Sequence, residues 1–488
     1  MISTEELYSL YVSCGYRVTT DSRTISGGGI FFALRGENFD GNAYALSALQ
    51  KGADYAVVNA GSDCLGVAPG AFRSRFIEVN DPFSSLQELA VFHRRKLGVP
   101  VIGLTGTNGK TTTKELISAV LRTKYRTVAT EGNLNNDIGV PLSLLGIRPD
   151  TQLAVIEMGA SHPDDISKLV KVAQPDYGLI TNVGKAHLLG FGSFEGVKAA
   201  KGELYKWLGA HEGSVIFLNQ DDADLVEMAR SEACHIYGYG IRYQGVELLP
   251  SDASNPFLSL ALADGTEVHT HLAGAYNAAN VLAALAVGEY FGVPRRAAIS
   301  AVEGFVPSNQ RSQLQRCGSN TLIIDAYNAN PSSMAVALDN LLSMESPSKV
   351  ALLGDMRELG DDSLAEHVAV VKRLASSYMD FYLVGEEFRK AVISCVADGS
   401  LPGVKLGVRA ALPDGLLNPM NYREPAGTTI PVNAATQPGC PLRGWFPTSA
   451  DLALELGLHP ITDSIVLIKG SRGVCMEKVL PALDRQQV

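Results

Sequence analysis

The stretch Val101-Ile-Gly-Leu-Thr-Gly-Thr-Asn-Gly-Lys-Thr-Thr-Thr113 decides how this chain is read. An apolar strand runs into a turn containing Gly106 and Gly109, and a lysine with three threonines opens a helix. Leu116, Ile117, Val120 and Leu121 recur at helical spacing, so one face of that helix is expected to be buried. A glycine turn at a helix start offers successive backbone N–H groups to an anion, and the helix dipole favours negative charge there. Lys110 adds a point charge for outer phosphates, and Thr111 adds a hydroxyl for Mg²⁺. Gly106, Thr107, Asn108, Gly109, Lys110, Thr111 and Thr112 are therefore the expected phosphate-binding set for a nucleoside triphosphate. The pattern G-x-x-x-x-G-K-[ST] misses by one residue, because its first glycine would fall at Leu104.

Working outward, apolar runs at 101–105, 153–158, 178–183 and 214–218 alternate with helical stretches. Strands this apolar, separated by helices, predict a parallel sheet covered on both faces, with ligands beyond the carboxyl ends of the strands. Glu157 closes one run as Leu-Ala-Val-Ile-Glu-Met, where an acid can hold Mg²⁺ beside a phosphate loop. Residues 1–98 mix short strand-like runs with turn glycines and end in a helical pattern from Ser84 to Lys96. A new strand–helix alternation follows 305–312, with runs at 321–325, 349–354, 380–385 and 464–468. The fold class read from this is α/β in three domains. A small α/β domain spans 1–98, a central parallel sheet with helices on both faces spans 99–308, and a Rossmann-like α/β domain spans 309–488. Residues 410–447, rich in Pro, Gly, Asn and Thr, read as a long loop or insertion.

At 488 residues the chain is too long for one compact core. Its net charge of −10 argues against a nucleic-acid partner, which usually leaves a basic footprint. Seven scattered cysteines without a C-x-x-C pair fit a reducing compartment. The start, Met1-Ile-Ser-Thr-Glu-Glu-Leu7, has no apolar signal core, and no apolar run reaches the ~18 residues of a membrane span. A cytoplasmic monomer acting on small molecules, with no membrane insertion, is the expectation.

The loop Gly106-Thr-Asn-Gly-Lys-Thr-Thr112 resembles that of the Mur ligases and their folylpolyglutamate synthase relatives, and the resemblance runs along most of the chain. Asp21-Ser-Arg23, Phe31-Phe-Ala-Leu-Arg-Gly36 and Asp40-Gly41 resemble the substrate-binding N-terminal domain. Gly132-Asn-Leu-Asn-Asn-Asp-Ile-Gly-Val-Pro141, Thr181-Asn-Val-Gly-Lys-Ala-His-Leu188, Asp325-Ala-Tyr-Asn-Ala-Asn-Pro331 and Gly354-Asp-Met-Arg-Glu-Leu-Gly360 resemble the branch that adds D-alanyl-D-alanine to a UDP-linked muramoyl tripeptide. What this implies is an ATP-dependent amide ligase of peptidoglycan synthesis working through an acyl phosphate. The sister enzyme that adds the third residue and folylpolyglutamate synthase are rivals within the class, disfavoured by the last-named motifs. A P-loop NTPase that only hydrolyses nucleotide is the rival outside it, opposed by the N-terminal uridine-type motif.

The resemblance also implies roles. His187 is a ligand of a second Mg²⁺, and Lys201 is the lysine carried as a carbamate, formed from CO₂. Together with Thr111 and Glu157 they make the metal set, and with Lys110 the catalytic one. Lys198, one helical turn earlier, is the rival to Lys201. Asn277 and Asn280 border the adenine, although an Asn at a helix start is often only a cap. Arg311 reaches the nucleotide phosphates, where a fork-shaped guanidinium suits phosphate oxygens. Asp325 and Asn328 join the nucleotide set. Ser22, Arg23, Asp40, Asn135, Asn136, Tyr327 and Asn330 face the substrates. His269 and His271 are expected to face solvent on one side of a strand.

Lys110→Ala is expected to abolish turnover while leaving the fold intact, removing about 3 kcal/mol or more of charge stabilisation. Steady-state rates within a few-fold of wild type would take the loop out of the mechanism.

Overall fold

A computed structural model describes residues 2–67, 69–250, 256–307, 311–377, 379–401 and 441–484. The chain divides into two compact units. The first comprises Met1–Val183, Lys198–Tyr243 and Ala279–Val302, and the second Gly184–Val197, Gln244–Ala278 and Glu303–Val488.

The first unit holds two parallel sheets. One has four strands in the order Val18–Thr19, Ile30–Phe32, Tyr55–Asn59, Phe76–Val79. The other has six, in the order His235–Tyr239, Val215–Asn219, Tyr177–Ile180, Val101–Thr105, Leu153–Glu157, Thr127–Ala129. Every pairing in this six-stranded sheet is parallel, as the apolar runs predict. Val101–Thr105 lies near its centre and is buried along its whole length. The helix Lys110–Arg122 follows, and Leu116, Ile117, Val120 and Leu121 are all fully buried. The helix Pro82–Leu97 links the two sheets. Its N-cap Asp81 accepts from Phe83 and Ser84 N–H, proline opens it, and left-handed Gly98 ends it. Its Leu86, Leu89 and Ala90 join Val140, Leu144 and Ile156 in one apolar cluster.

The second unit carries a six-stranded sheet in the order Gln313–Cys317, Asn320–Asp325, Ile465–Lys469, Lys349–Gly354, Asp380–Val384, Leu442–Phe446. Its first pair is antiparallel and the rest are parallel. The carboxyl ends of Asn320–Asp325, Ile465–Lys469 and Lys349–Gly354 are therefore neighbours, and so are the loops that leave them. A three-stranded antiparallel sheet, Glu247–Leu248, Phe257–Ala261 and Glu267–Ala273, belongs to the same unit. His269 and His271 are exposed along its last strand, alternating with buried neighbours.

Two readings of the sequence need correction. The strands Thr127–Ala129 and His235–Tyr239 were not expected, because edge strands bury too little to show an apolar run. The loop read over 410–447 ends too late. Leu442–Phe446 is a strand at the sheet edge, and its short Leu-Arg-Gly-Trp-Phe sequence is masked by the flanking Pro and Gly. The remainder of that loop, 410–440, lies outside the described residues. No helix among the described residues is long and apolar enough to cross a membrane.

Candidate nucleotide and ligase site

The phosphate loop is built by close approach. Gly106 has φ +144, and a Cβ there would meet the Thr181 hydroxyl oxygen at 2.0 Å. Gly109 has φ +76 and forms the left-handed N-cap of the helix Lys110–Arg122. A Cβ on Gly109 would meet the Asn280 side-chain amide at 2.9 Å. The end of the neighbouring strand pins the loop. Thr107 N–H donates to the Asn182 carbonyl (3.0 Å), and Asn108 N–H to Asn182 Oδ1 (3.0 Å). Thr181 Oγ1 and Asn182 Nδ2 both donate to the Asn108 carbonyl, at 2.6 and 3.0 Å. The Lys110 ammonium is half-buried and donates to the carbonyls of Gly106 (2.7 Å) and Thr107 (3.0 Å), so it lies folded over its own loop. Thr112 follows on the first turn of the helix, half-buried.

Glu157 stands at the carboxyl end of the adjoining strand, 1% exposed. Its Oε1 accepts from Asn135 Nδ2 (2.8 Å) and Thr111 Oγ1 (3.3 Å), and its backbone N–H donates to Thr130 Oγ1 (3.0 Å). Its Oε2 is buried and has no hydrogen-bond partner. An ionised carboxylate in that state is costly unless a cation completes it. Asn136 serves the neighbouring helix, its Oδ1 accepting from Gly139 N–H at 2.8 Å.

Lys198 and Lys201 share the helix Phe194–Gly209 and differ sharply. Lys198 bonds Asp224 (2.8 Å) and Glu227 (3.0 Å), an ordinary ion pair at the surface of the first unit. Lys201 is 2% exposed and donates to the Ala160 carbonyl at 3.3 Å. Burial, reinforced by the charge of Lys110, pushes its ammonium down to about 7. Asn280, inside the helix Ala278–Tyr290, accepts from Thr113 Oγ1 at 3.0 Å and so braces the loop helix.

Within the second unit, His187 adopts a left-handed backbone (φ +52) and its Nδ1 is bonded to the carboxylate of Glu358, itself at φ +65. Asn277 is buried and donates to the Ala273 carbonyl at 2.7 Å, and Tyr276 shares a hydrogen bond with Ser312 at 2.6 Å. Asp325 is paired with the buried ammonium of Lys469, which also donates to the Asn328 carbonyl at 3.3 Å. The guanidinium of Arg311 lies over the Tyr327 ring at 3.8 Å, and that of Arg472 over the same ring at 5.0 Å. Asn330 caps the helix Pro331–Ser343, its Oδ1 accepting from Ser333 N–H at 2.8 Å. In the four-stranded sheet region of the first unit, Arg23 grips Asp21 through two N–H groups and holds its carboxyl down at about 2. The Ser22 carbonyl accepts from Lys51, and Asp40 caps the turn at Gly41 while pairing with Arg35 at 3.0 Å.

Family profiles match this chain in three consecutive stretches. "Mur ligase family, catalytic domain" covers residues 16–96, "Mur ligase middle domain" covers 104–288, and "Mur ligase, glutamate ligase domain" covers 310–405. A Bacillus subtilis protein named UDP-N-acetylmuramoyl-tripeptide--D-alanyl-D-alanine ligase is 36% identical over 353 residues, 70% of this chain and 74% of its own. The chain belongs to the Mur ligase family. An Escherichia coli protein of the same name is 34% identical, over 76% of this Mur ligase and 81% of its own length. A crystal structure of MurF from Acinetobacter baumannii superposes with a TM-score of 0.74 at 29% identity, covering 96% of this chain and 93% of that one. The MurF ligase of Thermotoga maritima, solved in complex with ADP, shares the fold at a TM-score of 0.73 and 24% identity.

In each unit of this Mur ligase, further residues organise the loops described above. Thr181, Asn182 and Glu358 lie inside motifs already recognised, so the signal existed. Thr130, Lys469 and Arg472 act across strands, and no local pattern announces them. Lys110 is folded back over its own loop and is half-buried.

Gly109→Ala must place a side chain at φ +76 against the Asn280 amide. The expected cost is about 1–2 kcal/mol, or roughly a tenfold loss of affinity for a non-hydrolysable ATP analogue. Calorimetric titration of variant and wild type checks this.

Proposed function

We propose that this Mur ligase joins D-alanyl-D-alanine to a UDP-N-acetylmuramoyl-tripeptide at the expense of ATP, forming the pentapeptide used in peptidoglycan synthesis. The observation that carries the reading is the glycine loop set against Glu157, whose buried second oxygen lacks a partner, in a chain whose curated relatives share that activity in their names.

The chemistry divides between two bond exchanges. The terminal carboxylate of the tripeptide attacks the γ-phosphorus of ATP, and the bond to the bridging oxygen breaks to leave ADP and an acyl phosphate. The dipeptide amine then attacks the acyl carbon, inorganic phosphate departs, and the nitrogen loses a proton. With the Thr107 and Asn108 N–H groups spent on Asn182, the N–H groups from Gly109 to Thr111 hold the phosphates at the helix start. Lys110, released from the Gly106 and Thr107 carbonyls, turns to neutralise their charge. Thr111 and Glu157 are the residues that would hold Mg²⁺, and the unpaired Glu157 Oε2 fits such a cation. Mg²⁺ bound there supplies charge neutralisation between two anionic substrates.

We assign His187 and Lys201 to a second Mg²⁺, with Lys201 as a carbamate. A buried lysine whose ammonium is disfavoured offers a neutral amine to CO₂, and the carbamate oxygen is a hard ligand of the kind Mg²⁺ prefers. We assign Asn277, Asn280, Arg311, Asp325 and Asn328 to the nucleotide, and Ser22, Arg23, Asp40, Asn135, Asn136, Tyr327 and Asn330 to the substrates. The corresponding domains are 1–98, 99–308 and 309–488. We place the enzyme in the cytoplasm as a monomer.

Phosphate release should require ATP, dipeptide and UDP-muramoyl tripeptide together, and release from ATP alone would favour a simple NTPase. Lys201→Ala should lower turnover by roughly 100-fold or more, with partial recovery on adding a small carboxylate, while Lys198→Ala stays within a few-fold. The ¹³C carbonyl signal of a carbamate, raised with labelled bicarbonate, should be present in wild type and missing from Lys201→Ala. A wild type without that signal but with full activity would defeat the assignment.

A further inference from the structure

The three loops that leave the central strands of the second sheet are bolted together. Ser471, 3% exposed, donates its hydroxyl to the Ala329 carbonyl at 3.3 Å and accepts from Arg357 N–H at 2.9 Å. Its own N–H donates to the Asp355 carbonyl at 3.1 Å. Lys469, the one cation buried among these loops, is spent on Asp325. Three guanidiniums remain around this platform. Arg311 and Arg472 share the Tyr327 ring, and Arg357 donates to the Gly473 carbonyl at 3.3 Å. Gly473 permits that approach, since a Cβ there would meet Arg357 Nη1 at 2.3 Å. Among the described residues none of the three pairs with a carboxylate within salt-bridge distance. Arg357 and Arg472 are exposed.

Guanidiniums held on one frame with no carboxylate in salt-bridge contact favour an anion beside them. We infer that Arg472 and Arg357 form a receptor for the terminal carboxylate of the acceptor dipeptide. The inference rests on the ligase reading above. In the acceptor, the amine must stay unencumbered to attack, which leaves the carboxylate as the only charged group by which to hold it. Guanidinium forks match a planar carboxylate in two-point fashion. Stacking on Tyr327 fixes the plane of Arg472 without consuming its N–H donors. Such a receptor sets the direction of the dipeptide and excludes acceptors whose far end is uncharged.

The test is steady-state kinetics with D-alanyl-D-alanine and with its C-terminal carboxamide. Arg472→Ala should raise KM for the dipeptide by roughly 100-fold, leave KM for ATP within about twofold, and change kcat little. Arg357→Ala should show the same pattern more weakly, and Arg472→Lys should fall between, keeping charge but losing the fork. Wild type should prefer the free carboxylate over the carboxamide by a similar factor, and Arg472→Ala should lose that preference. A rise in KM for ATP with that for the dipeptide unchanged would make this a phosphate subsite and overturn the inference, as would wild-type constants throughout. Wild-type phosphate release that needs no dipeptide would instead overturn the ligase reading itself, and the receptor with it.

Discussion

A carboxylate sealed from water with one oxygen unsatisfied organises the first unit. Glu157 is held by Asn135, Thr111 and Thr130, each delivered by a different element, and that convergence positions the start of the loop helix. A buried polar atom without a partner is unfavourable, so the surrounding frame must be rigid enough to sustain it. The frame is the parallel sheet, whose fully buried strands Val101–Thr105 and Leu153–Glu157 pair so that Glu157 stands opposite Leu104. The fold thereby keeps one carboxylate oxygen of Glu157 buried without a hydrogen-bond partner beside the loop.

The parts of this design written in local sequence were legible before any coordinates. Val101 to Leu121 carries strand, turn and helix in one continuous signal, and the buried face fell on the four positions whose spacing announced it. Glu157 was legible because a lone acid closing an apolar strand breaks its own pattern. The edge strands were not, since Thr127–Ala129 and His235–Tyr239 bury too little to require an apolar run. The strand Leu442–Phe446 was hidden by its surroundings in sequence. Contacts such as Lys469 with Asp325, or Asn182 with the loop, join residues from separate strands, so only the topology brings them together. Lys198 and Lys201 could be ranked by motif but not explained by it. The explanation is environment, which leaves one paired with two carboxylates and the other buried as a group that prefers neutrality.

The second unit solves a different problem with the same architecture. Its central strands end in loops rich in hydrogen-bonding groups, and buried Ser471 and Lys469 are used to brace those loops against one another. Charge is kept exposed on top of this brace, at Arg357 and Arg472, while the charge inside it is neutralised in place. The left-handed residues His187 and Glu358 are joined by a polar bond, which places an imidazole with one nitrogen already engaged.

The crowding at Gly106 reaches beyond the loop itself. Because the space for a side chain there is already filled by Thr181, positions 106 and 181 cannot drift independently. Thr181 in turn anchors Asn108 through its hydroxyl, so trimming it to make room would remove one of the bonds that hold the loop. Thr107 adds its backbone to the same clasp, its N–H donating to the Asn182 carbonyl and its own carbonyl accepting from Lys110. A substitution at either position, 106 or 181, is therefore constrained by geometry, before any question of chemistry arises.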